Sequence, residues 1–209
     1  MRLYVPKIMR VLKIMHLQYS NLGLREFMAL VFRSLFKVDR LLIYSRDLTS
    51  EITRIESHVG DEYIRKGDMS DLAMSRKSMA APSWEFSCDL YDGVKDYFFY
   101  KMNGAIGHIS WIYYKNDPNR IIDLCSYEGE VKYSLTLPEF RGKGIYPATL
   151  IEVQRFLKEK GYKRLFICTR EDNVPSIRGI EKAGFKFVAK ISLIKFLGMQ
   201  VSKRYATGR

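Results

Sequence analysis

Residues 133–160 constrain this chain more than any other stretch. Tyr133-Ser134-Leu135-Thr136-Leu137 alternates apolar and hydroxylated side chains, the pattern of a half-buried strand. Pro138 ends it, and Arg141-Gly142-Lys143-Gly144 follows as a short basic loop with two glycines. From Ile145 the apolar positions Ile145, Ala148, Leu150 or Ile151, Val153 and Phe156 fall at helical spacing. Pro147 sits in the first turn, where its missing N–H costs nothing. The unit is therefore a strand, a glycine loop and a helix N-terminus. The N–H groups of such a helix start lack intrahelical partners, and the dipole is positive there, so the unit can hold an anion. Arg141 and Lys143 add formal charge, and we read the loop as a pyrophosphate cradle. Its glycines are too close for a Walker-type loop and no Lys-Ser/Thr follows. A dinucleotide fingerprint needs three glycines.

Downstream, Gly161 is placed to cap the helix, and residues 163–169 read as a buried strand parallel to the first. Strand, helix and strand in this order make a right-handed crossover. Asn173, Ser176 and Gly184-Phe185 then flank another short helical segment.

These two motifs resemble those of the GNAT superfamily of acetyltransferases. Arg141-x-x-Gly144-x-Tyr146 is similar to its acetyl-CoA loop, Arg/Gln-x-x-Gly-x-Gly/Ala, departing at Tyr146. Asn173-x-x-Ser176, a helix and Gly184-Phe185 resemble its second signature at the family spacing. The resemblance covers about residues 40–196. It implies an α/β GNAT fold: a mixed, mostly antiparallel sheet with a central parallel, splayed strand pair and flanking helices. It also implies acetyl-CoA as cosubstrate, with the pantetheine arm in the splay against main-chain groups of Leu135 and Leu137, Thr136 facing the other way. Arg141, Gly142, Lys143, Gly144, Ile145 and Tyr146 would hold the pyrophosphate, and Asn173 and Ser176 would touch the cofactor.

The implied reaction is direct transfer to a primary amine, on a small molecule such as an amino sugar or on a peptide. Strand N–H groups would stabilise the oxyanion. Candidate bases are Glu128, Glu130 and His108, with Glu130 expected on the strand face of Lys132 and Ser134. Many family members carry a tyrosine acid in the helix after the Asn motif; here that position is Ile180. Tyr146 or Tyr133 could replace it, or the thiolate could leave unassisted. A module of this fold that binds CoA without turnover is the alternative.

The remaining chain reads as follows. Basic amphipathic helices are expected over about 7–19 and 22–37, and a first strand at 40–45. Helices are expected at 47–66 and 70–77, with an irregular acceptor-side segment at 79–92. Asn103-Gly104 joins two β-rich runs into a hairpin. A turn at 116–119, a short strand at 120–125 and closing strand character at 186–196 complete the pattern. The expected organisation is an extension at 1–38, the GNAT domain at 39–200 and a basic tail at 201–209.

Residues 1–40 carry eight cations against two acids, half of the formal net charge of +12. Two readings of residues 1–37 stay open: packing on the domain or on a second copy as a homodimer, or lying on an anionic membrane surface. No recognised motif supports nucleic-acid binding. The 209 residues allow one domain with a sizeable core and an appendage. Cys88, Cys125 and Cys168 lack metal-site spacing and read as thiols of a reducing compartment. A signal peptide is not expected, and the early apolar run 27–32 is far short of the ~18 residues that cross a bilayer. The expected location is cytoplasmic, with peripheral attachment to the inner face of the membrane under the second reading.

Overall fold

The computed structural model describes residues 36–52, 63–79, 82–102, 104–196 and 199–207. The helices expected in residues 1–37 lie outside these residues except for Phe36 and Lys37, which are strand; of the helix expected at 47–66, residues 53–62 lie outside and residues 47–52 are not helical. In chain order the elements are β1 (Phe36–Asp47), β2 (Ile64–Lys66), α1 (Met69–Ser78), a 3-10 turn (Trp84–Ser87), α2 (Cys88–Asp92), β3 (Tyr97–Met102) and β4 (Ala105–Tyr113). Then follow β5 (Glu128–Thr136), a 3-10 turn (Pro138–Phe140), α3 (Ile145–Glu159), β6 (Arg164–Arg170), α4 (Val174–Lys182), β7 (Lys186–Phe196) and β8 (Met199–Thr207).

The described residues fall into two compact units, one within 43–187 and one formed by 36–42 with those of 188–207. In the smaller unit β7 and β8 pair antiparallel from Ala189↔Thr207 to Phe196↔Met199. Residues 201–207, read from sequence as a tail, are thus strand.

In the larger unit the strand order is β2-β3-β4-β5-β6, antiparallel except for the parallel pair β5–β6. The β3–β4 hairpin closes at Met102↔Ala105, with Gly104 at φ +80°, the left-handed conformation its turn requires. From Ile106 to Tyr113 every residue of β4 is buried, so both faces of this central strand are covered. One face carries the main core, with Trp111, Tyr97, Phe86 and Phe99 fully enclosed. Burying one such side chain contributes about 2–3 kcal/mol.

β5 holds the feature that shapes the rest. Ile109 pairs with Leu135, but Trp111 pairs with Lys132, so Tyr133 and Ser134 together oppose Ser110. This is a β-bulge, and Tyr133 takes it up at φ +52°. The bulge shifts the alternation by one. Glu130 and Lys132 lie on the Trp111 face, whereas Ser134 and Thr136 lie with Ser110 and His108 on the other. The sequence expectation that Glu130, Lys132 and Ser134 share a face is corrected here.

Residues 120–125 are not a strand. Their N–H groups go to carboxylates: Ile121 and Ile122 donate to Glu130, and Cys125 donates to Glu128. Residues 64–66 are strand β2 rather than the end of a helix, and part of the segment expected to be irregular forms the 84–87 turn and α2.

Candidate functional site

β5 and β6 pair in register from Glu128↔Arg164 to Val131↔Ile167. Both strands run on, to Thr136 and Arg170, without further pairing to each other among the described residues. The bulge bends β5 away at this point. A cleft of about 690 Å³ is walled by His108 of β4, the C-terminal half of β5, the 140–147 loop and helix start, Asn173 and α4.

The loop and helix start form as their residues require. Gly142 and Gly144 sit at φ +76° and +75°, where a Cβ is strained. Gly144 is the N-cap of α3 and has no side chain to offer an acceptor, so the first-turn N–H groups are left for other partners. Arg141 folds back, its Nε donating to the Thr136 carbonyl at 3.1 Å. Lys143 Nζ lies 5.3 Å from the Phe140 ring centre. Asn173 caps α4 by accepting from the Ser176 N–H at 3.3 Å. Arg141, Arg178 and Lys182 line the cleft, and among the described residues no carboxylate does. The field inside is positive, and two helix N-termini add to it.

Beneath the cleft runs a chain of polar side chains. The Thr136 hydroxyl lies 2.7 Å from His108 Nδ1, and Ser110 Oγ lies 2.8 Å from His108 Nε2. Ser110 Oγ lies 2.7 Å from Ser134 Oγ, and Ser134 and Tyr146 both line the cleft. His108 is fully buried, which pushes its pKa down to about 3 and keeps the ring neutral. Burial raises the Tyr146 pKa, partly offset by Ser134. The Tyr146 ring lies 5.6 Å from that of His108 and rests on Gly179, where a Cβ would come within 2.7 Å of it.

Of the residues expected from sequence, His108, Leu135, Thr136, Arg141, Gly142, Gly144, Ile145, Tyr146, Asn173 and Ser176 line one cleft. Lys143 and Leu137 flank it; the Leu137 N–H is spent on the Gly107 carbonyl at 2.9 Å. Glu128 and Glu130 lie elsewhere, at the paired end of β5. Glu130 is fully buried, which raises its pKa against the pull of Lys132, and Glu128 faces Arg164 at 3.8 Å. Tyr133 packs on Trp84, ring centres 4.6 Å apart. Ile180 is fully buried and belongs to the core.

Sequence reasoning missed Ser134, Arg178, Gly179 and Lys182. Arg178 and Lys182 were within reach, being one turn apart on the helix that Asn173 caps. Gly179 carried no local signal, because its role is set by a ring from another helix.

The description "Acetyltransferase (GNAT) domain" belongs to the family model that matches residues 49–186. Solved structures share the fold. A GNAT-family protein from Novosphingobium aromaticivorans is 14% identical with a TM-score of 0.55, the match covering 83% of this chain and 66% of that one. A GNAT-family acetyltransferase from Colwellia psychrerythraea is 15% identical with a TM-score of 0.50, covering 82% and 61%. A GCN5-related N-acetyltransferase from Sphaerobacter thermophilus is 12% identical with a TM-score of 0.52, covering 87% and 56%. The chain thus spans less than two thirds of the length of these structures. No curated protein matches it. A family model matched over residues 49–186, joined to a parallel strand pair that parts above a glycine loop, means that the chain belongs to the GNAT acetyltransferases.

Proposed function

We propose that this protein transfers an acetyl group from acetyl-CoA to a primary amine, on a small molecule such as an amino sugar or on a peptide. One observation carries the reading: β5, past the point where it stops pairing with β6, walls a cationic cleft, free of carboxylates among the described residues, headed by the glycine N-cap of a helix. Those residues fit a polyanion with a narrow tail. The N–H groups of Gly142 to Tyr146, with Arg141 and Lys143, would take the pyrophosphate. The unpaired edge of β5 would take the pantetheine arm as an added strand does. Arg178, Lys182, Asn173 and Ser176 would close the α4 side.

Acetyl-CoA supplies an activated thioester. The chain aligns it against the amine and offers backbone N–H groups to the developing oxyanion. His108, Glu128 and Glu130 are all engaged within the protein, so the amine loses its proton to water. Tyr146, at the floor of the cleft, gives its hydroxyl proton to the departing sulfur.

The test is thiol release from acetyl-CoA over a panel of primary amines, beside direct measurement of CoA binding. Release with saturable CoA binding is expected. Arg141→Glu and Gly144→Asp each place a negative charge in the cradle and are expected to raise the Kd for CoA at least about tenfold, 1.4 kcal/mol. Two unchanged affinities would remove the cradle. Saturable CoA binding with no release for any amine would identify a non-catalytic CoA-binding module.

The concentration of cations in residues 1–37 supports a further reading, attachment to an anionic membrane surface. Among the described residues no helix is long and apolar enough to cross a membrane. Co-sedimentation of the full chain with anionic vesicles, but not with zwitterionic ones, is the expected result.

A further inference from the structure

The cleft holds more positive charge than its glycine loop supplies. Arg178 and Lys182 stand one turn apart on the same face of α4, and both are exposed side chains that line the cleft. Neither has a hydrogen-bond or ion-pair partner among the described residues. The acids beside them in the chain are turned to other groups. Asp172 pairs with Arg170 at 2.6 Å, and Glu181 accepts from the Tyr44 hydroxyl at 3.2 Å. Gly179, the neighbour of Arg178, fixes where the pair stands. A Cβ there would come within 2.7 Å of the Tyr146 ring and 3.7 Å of Pro147 Cδ, so this turn of α4 lies against the first turn of α3. The two cations therefore stand beside the helix start that the glycine loop feeds.

We infer that Arg178 and Lys182 form a second anion site, for a phosphate monoester, and that the group it takes is the 3′-phosphate on the ribose of the CoA donor. The inference rests on the acetyltransfer reading, which puts CoA in the cleft. For a diphosphate diester the loop already has Arg141 and Lys143, besides the uncapped N–H groups of the helix start. A phosphate monoester brings about −1.5 to −2 of further charge at neutral pH, and the α4 pair is the charge that meets it. With no anion between them, two like charges one turn apart repel and weaken the helix that carries them. Arg178 can hold two phosphate oxygens through its guanidinium fork, and Lys182 adds a point charge.

The consequence is selectivity for the donor. Backbone groups of β5 and the loop can read only the pantetheine arm and the diphosphate. The α4 pair reads what distinguishes CoA from carriers that share the arm and lack the 3′-phosphate, such as dephospho-CoA or a phosphopantetheine group on a carrier protein.

Equilibrium binding of the full chain to CoA and to 3′-dephospho-CoA tests this without turnover. Wild-type protein is expected to bind dephospho-CoA at least about tenfold more weakly than CoA. The Arg178→Gln/Lys182→Gln protein is expected to bind the two ligands alike, with its affinity for dephospho-CoA within about twofold of wild type. Arg141→Gln is expected to weaken both ligands and keep their ratio, because it serves the diphosphate they share. Both α4 side chains are exposed, so the double variant should keep the wild-type Tm. The two-ligand comparison on wild-type protein does not depend on that. Equal wild-type affinity for the two ligands, or an undiminished ratio in the double variant, overturns the inference and leaves the acetyl-CoA reading in place. A ratio lost in Arg141→Gln but kept in the double variant would put the 3′-phosphate on the loop and overturn it as well. Wild-type protein that binds neither ligand removes the acetyl-CoA reading, and this site with it.

Discussion

His108 shows how far one buried side chain reaches. The unfolded chain protonates this imidazole near 6.5, but the folded protein resists until about 3. Its contribution to stability is therefore complete above 6.5 and is lost as pH falls toward 3, because the unfolded state binds the proton first. The loss is about 2 kcal/mol by roughly pH 5. Urea unfolding at pH 7 and pH 5 should show this slope in the wild type and a shallower one in His108→Gln; equal slopes would mean that His108 titrates freely. The sequence marked His108 as a candidate base; the structure places it on the cleft wall, neutral and with both ring nitrogens engaged. Ser110 shares its strand face two residues on, but nothing local says that Thr136 takes the other ring nitrogen, since that partner meets it only through strand register. Tyr146 is similar. It was visible as a departure from the family loop, but the glycine that gives its ring room lies in another helix.

Among the elements, β5 was the most legible and also the most misread. Its existence, its parallel partner and the glycine loop after it all follow from pattern, because alternation and helix-start chemistry are local. The bulge at Tyr133 does not, since a non-glycine residue at φ +52° leaves no mark in composition. That one extra residue turns Glu130 away from Ser134 and toward the segment after the 116–119 turn. There it holds Ile121 and Ile122 at 3.0 and 3.3 Å, and those N–H groups are no longer available for a strand. Glu130 thereby links an element to a loop. Glu130→Gln keeps the shape but replaces a charged acceptor with an amide whose NH₂ group meets two N–H donors. It is expected to cost about 1–3 kcal/mol of stability while leaving thiol release per folded molecule within about twofold. A Glu130→Gln protein with unchanged Tm and release reduced a hundredfold would restore this carboxylate to the chemistry.

For the whole molecule the question is whether its excess charge or its local cations draw in an anionic ligand. The formal net charge is +12, and half of it lies in residues 1–40. The cleft has its own cations in Arg141, Arg178 and Lys182. Screening separates the two contributions. The Debye length is about 10 Å at 0.1 M salt, so distant charges fade first and those within a few ångströms of the ligand persist. Raising NaCl from about 50 to 300 mM should weaken CoA binding roughly tenfold. Replacing Arg2, Lys7, Arg10 and Lys13 by glutamine should leave CoA affinity nearly unchanged at about 300 mM, whereas Lys182→Gln should weaken it at both salt concentrations. The reverse pattern would assign CoA attraction to the field of residues 1–40, and the cleft cations would then be ordinary solvated surface. The quadruple variant should also release anionic vesicles if those residues hold a membrane surface. The same four substitutions thus ask of one charge cluster whether it serves the ligand or the location.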